Sequence, residues 1–140
     1  MQIDALQKQL DWFWHELSHF IKAMGREQLW FAYGQLEMMR QICVILARLQ
    51  YNFTDVYAVK EPYFKVEQAL PTEILSPLEE TFCPMKYRAM VQAALTICLY
   101  YRDVAPALAN VHKLTYQVGL EKQMMSKLNR LFDTHSRFNN

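Results

Sequence analysis

The sequence predicts an all-α fold, a bundle of four longer helices plus a short one, and three observations carry that prediction. Apolar residues recur three and four positions apart along most of the chain, and strand-like alternation is nearly absent. The stretch from Arg26 to Leu49, REQLWFAYGQLEMMRQICVILARL, is apolar around most of a helical circumference, as a buried central helix would be. Pro62, Pro71, Pro77 and Pro84 crowd into one irregular connection between the second and third helices. With 140 residues the chain is long enough for one domain, residues 1–140, around a single core.

The first helix is expected from about Asp4, a residue suited to an N-cap, to Met24, and Gly25 offers a stop. Its apolar stripe is Leu6, Leu10, Phe13, Leu17, Ile21 and Met24. The second helix extends to about Gln50. At about 100° per residue its broad apolar arc holds Leu29, Leu36, Met39, Ile42, Cys43, Leu46 and Leu49, with Phe31 and Met38 at the edge. The narrower remainder carries Trp30, Tyr33, Glu37, Arg40, Gln41 and Arg48. Polar groups on a helix this apolar need partners. Either the stripe faces water, with Glu37 and Arg40 pairing on one turn, or it faces a binding site.

The connection from Tyr51 to Pro84 is too long for a tight bundle loop, so it should pack across the bundle and shape a pocket, with short helical turns such as Tyr63 to Ala69. A third helix is predicted from about Met85 to Val104, burying Met90, Ala94, Ile97, Cys98 and Tyr101. Pro106 fits the first turn of a separate short helix reaching about His112. The last helix, about Gly119 to His135, buries Leu120, Met124, Leu128, Leu131 and Phe132, and the tail from Ser136 to Asn140 is expected to fray.

Composition narrows the function classes. Fifteen basic and 14 acidic residues, interspersed, give a net charge of +1 and no electrostatic footprint for nucleic acid. A hydrophobic fraction of 52% against 21% charged residues predicts apolar surface that meets a second copy, a homodimer, or another domain. No apolar run approaches the roughly 20 residues of a membrane span, and MQIDALQKQLDW lacks the layout of a signal peptide, so a cytoplasmic location is expected. Cys43, Cys83 and Cys98 are odd in number, widely spaced and without a CxxC, which reads as reduced core residues.

Two motifs invite chemistry. Residues 15 to 19, His-Glu-Leu-Ser-His, match HExxH, in which two imidazoles one turn apart hold zinc beside a glutamate base. The longer metzincin pattern fails at Lys22 and Gly25, and the histidines lie opposite the Leu10, Phe13, Leu17 stripe. A nonproteolytic metal site on His15 and His19, with His112 or a carboxylate as third ligand, is the alternative it leaves. Arg130 and His135 fit the Arg-x4-His signature of HEPN-type ribonucleases and toxin–antitoxin bundles, although Leu131 stands where those proteins usually carry a polar residue. No nucleophilic triad or phosphate-cradling glycine loop is present.

The succession FWHEL at 13–17, REQLWFAYGQLEMMRQICVILARL at 26–49 and YRDVAPALANVHKLTYQVGLEKQMMSKLNRLF at 101–132 resembles the helical C-terminal domain of aminoglycoside and lincosamide nucleotidyltransferases, an antibiotic-resistance family. The resemblance implies a helical domain that holds the small-molecule acceptor, while a catalytic domain in cis or in trans binds Mg²⁺ and nucleotide. This chain has no Gly-Ser turn, and Asp4, Asp11, Asp55, Asp103 and Asp133 are isolated, so no cofactor is expected within it. By the same resemblance Glu37 is nominated toward the acceptor hydroxyl or amine. Trp30, Tyr33, Glu37 and Arg40 are the expected substrate-binding residues, and none is assigned a catalytic role.

Overall fold

Six helices order the chain in the computed structural model, which describes residues 2–134: α1 (Gln2–Gly25), α2 (Leu29–Tyr51), α3 (Val66–Ala69), α4 (Thr72–Glu79), α5 (Tyr87–Val111) and α6 (Val118–Thr134). No strand occurs among the described residues. The all-α class and the long irregular connection match the sequence reading. Residues 26–28 fold α1 and α2 into a hairpin with the most extensive helix contact in the protein, α5 packs on α2, and α6 closes against α1 and α5. No described helix is long and apolar enough to cross a membrane.

The predicted stripes face the core. Leu6, Leu10, Phe13, Leu17 and Met24 of α1 are buried, as are Met90, Ala94, Ile97, Cys98 and Tyr101 of α5 and Met124, Leu128 and Leu131 of α6. Ile21, Leu120 and Phe132 pack at its margin. Tyr101 joins the helices: its ring stacks on Phe13 at 3.8 Å, Trp14 stands edge-on to both, and its hydroxyl donates to the Leu10 carbonyl at 2.6 Å. Burial pushes the Cys43 and Cys98 thiols well above their ordinary pKa, so both are inert core groups. Cys83 differs from expectation in being only half-buried.

Helix ends differ from the sequence reading in several places, α2 starting at Leu29 rather than Arg26 and α5 at Tyr87 rather than Met85. α1 begins at Gln2, placing Asp4 inside the first turn, where a carboxylate meets the positive end of the helix rather than capping it. Gly25 ends α1, but the left-handed residue is Glu27, at φ 59°. There the Gln28 N–H donates to the Ala23 carbonyl at 2.9 Å and the Glu27 N–H to the Met24 carbonyl at 3.0 Å, a Schellman closure. The third helix does not break before Pro106. α5 runs through it to Val111, so the separate short helix expected there is absent, and the short helices are α3 and α4 within the connection. Pro106 removes one backbone donor at a cost of about 3 kcal/mol. Ala105, Leu108 and Ala109 are buried on either side of it, and their packing keeps the helix continuous. α5 then ends in a second Schellman closure, with Lys113 at φ 58° and the Leu114 N–H on the Ala109 carbonyl at 2.7 Å.

The connection between α2 and α5 is fastened by Arg48, whose residue is 2% exposed. Its Nε and one terminal nitrogen grip the Asp55 carboxylate at 2.7 and 3.2 Å, and the other terminal nitrogen donates to the carbonyls of Pro62 and Phe64 at 2.8 and 2.7 Å. Burial alone would raise the Asp55 pKa. The Arg48 hydrogen bonds, backbone donors from Tyr57 and Ala58 and the Arg48 charge together bring it below the usual carboxylate value.

Replacing Arg48 with Leu strands that carboxylate and two carbonyls, and a loss of about 3 kcal/mol is expected in urea unfolding. Arg48→Lys recovers less than half of it, because an ammonium cannot grip bidentately. Because the Asp55 pKa is lower in the folded chain than in the unfolded one, its contribution is complete at neutral pH and fades as pH falls below about 4. The stability gap between the wild type and Asp55→Asn, followed by thermal melts, should therefore narrow from pH 6 toward pH 3.

Candidate functional site

The polar stripe of α2 faces the connection rather than open water. Its residues from Tyr33 to Arg48 stack along one side of the helix, and successive parts of segment 52–86 are tied to them. The Tyr33 hydroxyl donates to the Cys83 carbonyl at 2.5 Å. Arg40, 1% exposed, donates through Nε to the Thr81 hydroxyl at 2.6 Å and through a terminal nitrogen to the Thr81 carbonyl at 3.0 Å. The Thr81 hydroxyl passes its own proton to the Leu78 carbonyl at 2.6 Å, which joins the end of α4 to the same network. The remaining terminal nitrogen of Arg40 bonds Glu37, which also accepts from the Gln41 amide at 3.3 Å.

Above this anchored wall lies a groove of about 220 Å³. It is lined by Arg40 and Val44 of α2, Val66 and Glu67 of α3, and Leu75, Leu78 and Glu79 of α4, together with Tyr63 and Phe82. The Arg40 guanidinium sits 3.9 Å from the centre of the Phe82 ring, so its face is covered by an aromatic that is itself exposed. Burial raises the Tyr63 pKa, and the Glu37 carboxylate beside its hydroxyl raises it further, against the opposing Arg40 charge. Tyr63 also borders a second hollow of about 220 Å³ with Gln41, Glu61, Pro62 and Phe64. The arrangement is therefore a largely apolar slot whose lining includes two aromatics and two carboxylates. Arg40 is neutralised by Glu37, whereas Glu67 and Glu79 make no ion pair among the described residues.

Of the four expected substrate-binding residues, Arg40 alone lines this groove; Glu37 is bonded to Arg40 without lining it, and Tyr33 ties α2 to Cys83 two turns before Arg40. Trp30 stands apart at the start of α2, 84% exposed. Of the two readings given for the stripe, the pairing of Glu37 with Arg40 on one turn is met. Tyr63, Thr81, Phe82, Glu67 and Glu79 escaped the sequence reading. Their signal was only the length of the connection, because no periodicity marks which of its residues turn inward.

The two motif candidates fare differently. His15 and His19 stand one turn apart with ring centroids 4.4 Å from each other, but Glu16 is buried, and no group of three or more His, Cys, Asp or Glu side chains placed to hold a metal ion occurs among the described residues. His112, the suggested third ligand, stacks instead on Phe53 at 4.2 Å. Arg130 lies in an open trough between α5 and α6, and His135, the other half of the Arg-x4-His pair, lies outside the described residues. The clustered aspartates of a two-Mg²⁺ transfer centre have no counterpart among the described residues.

No curated protein and no solved structure was found to match the chain. A family model does match, that of the streptomycin adenylyltransferases, over residues 4–131, which takes in all of the groove and nearly the whole bundle. On that match the chain belongs to the streptomycin adenylyltransferase family, and its bundle is a helical domain of the aminoglycoside nucleotidyltransferase type.

Proposed function

We propose that this bundle is an acceptor-holding domain of a nucleotidyltransferase acting on an aminoglycoside such as streptomycin, and that the groove beside Arg40 is where the acceptor docks. The observation that carries this reading is a slot lined by two carboxylates and two aromatics in a chain of this family. A cationic sugar antibiotic needs carboxylates for its charged groups and ring faces for its body. Glu67 and Glu79 offer the charge, Phe82 and Tyr63 the faces, and Glu37 an oxygen toward an amine or hydroxyl. Arg40 and Tyr33 serve by holding the wall, and Trp30 supplies an exposed indole two turns before Glu37.

Nucleotide and Mg²⁺ belong, on this reading, to a catalytic domain joined to the bundle or supplied by another chain. The bundle is then an accessory part in antibiotic resistance, working in the cytoplasm, and inactive by itself. Pairing of two copies is proposed through the exposed apolar surface that the composition predicts.

Titration calorimetry with streptomycin tests the groove. Glu37→Gln, or Glu67→Gln with Glu79→Gln, should weaken binding about tenfold each, the worth of one charge-assisted contact. Phe82→Ala should weaken binding and lower the melting temperature by a few degrees, as loss of its cover over Arg40 implies. Unchanged affinity in all three variants, or no binding by the wild type, would reject the assignment. A second measurement addresses the division of labour: incubated alone with ATP, Mg²⁺ and streptomycin, the chain should release no pyrophosphate, and turnover would refute an accessory role.

A further inference from the structure

The HExxH match is not absorbed by the acceptor groove, and its geometry has a use of its own. His15 and His19 project from adjacent turns of one rigid helix, a spacing that aims two imidazoles at a common point. Their ring centroids are 4.4 Å apart, close to the separation of about 5 Å that two imidazoles adopt when each bonds one ion at about 2.1 Å. No hydrogen bond or ion pair among the described residues occupies either ring. The Trp12 ring lies 4.4 Å from His15 and the Phe31 ring of α2 lies 6.5 Å from His19, so each imidazole has an aromatic neighbour. Holding an ion there would cost little reorganisation, because α1 is already fixed by its buried face.

We infer that His15 and His19 form an open chelate for a divalent transition metal on the outer face of α1. Two neutral imidazoles select Cu²⁺, Ni²⁺ or Zn²⁺ and give no purchase on Mg²⁺ or Ca²⁺, which prefer oxygen donors. The remaining coordination positions go to water, since the described residues offer no third ligand. The site is not a protease centre. Glu16, the residue that pattern uses as base, is buried on a different side of the helix from the imidazoles.

Calorimetric titration of the untagged chain with ZnCl₂ tests the site. One ion should bind per chain with a Kd on the order of 10 µM, as two of the four ligands of a closed zinc site would give. His15→Ala or His19→Ala should weaken it at least tenfold, and His112→Ala should leave it unchanged. CuCl₂ should quench tryptophan emission in the wild type and much less in Trp12→Phe, whose zinc affinity stays as in the wild type. Circular dichroism of the alanine variants confirms that α1 is intact, as expected for a substitution by the best helix former. Equal zinc binding by the His15→Ala/His19→Ala double variant, or no binding by the wild type at 1 mM zinc, would overturn the inference.

Discussion

The structure depends on two buried guanidinium groups. Arg40 and Arg48 lie two turns apart on the same side of α2, each almost wholly removed from water, and a charge in that position must find partners or the chain will not fold around it. Neither finds enough on α2 itself. Arg48 takes a carboxylate and two carbonyls from residues 55–64, and Arg40 takes the hydroxyl and carbonyl of Thr81. The connection is therefore drawn across α2 at two points, and everything between those points, including α3 and α4, hangs over the helix as an arch. The groove is the space beneath that arch.

This explains how a segment with few core residues holds a defined shape. Only Ala58, Leu70, Leu75, Leu78 and Thr81 of residues 52–86 are buried, too little apolar area to order more than thirty residues by itself. The arginine bonds supply what packing does not: those to the carbonyls of Pro62, Phe64 and Thr81 fix the path of the chain, and those to Asp55 and the Thr81 hydroxyl require these two side chains. Tyr33 on Cys83 and Tyr100 on Ile74 add two further ties of the same kind, at 2.5 and 3.2 Å. Burial pushes the Tyr100 pKa up to about 12, so its hydroxyl stays a donor throughout the physiological range.

What the sequence disclosed follows from the range of each interaction. The four long helices were legible because their apolar positions repeat within one turn, and the polar stripe on α2 because it interrupts that repeat. Pro106 misled because proline reports the loss of a local hydrogen bond, whereas the continuity of α5 is decided by Ala105, Leu108 and Ala109 meeting helices distant in sequence. The αL residues were illegible for a similar reason: Glu27 and Lys113 have no intrinsic taste for that conformation and adopt it because Gln28 and Leu114 reach back to close their helices. The groove was visible only as a stripe awaiting a partner. Its other half, from Tyr63 to Phe82, has no periodicity of its own, since its course is imposed by Arg40 and Arg48.

The same partition bears on where specificity resides. Most hydrogen-bonding capacity of the α2 stripe is consumed within the protein: the Tyr33 hydroxyl, the three donor nitrogens of Arg40 and those of Arg48 are engaged before any ligand arrives. What α2 itself presents to the groove is the Val44 side chain and the covered face of a neutralised arginine. The groups with free electrostatic reach, Glu67 and Glu79, and the two aromatics, Tyr63 and Phe82, all belong to the arch. α2 thus sets the height and span of the slot, and the arch sets its chemistry. On the proposed docking of an acceptor in this groove, changes of its preference should accordingly arise from substitutions at 63–82 that leave Thr81 in place, whereas substitutions at Arg40 or Arg48 remove the slot itself.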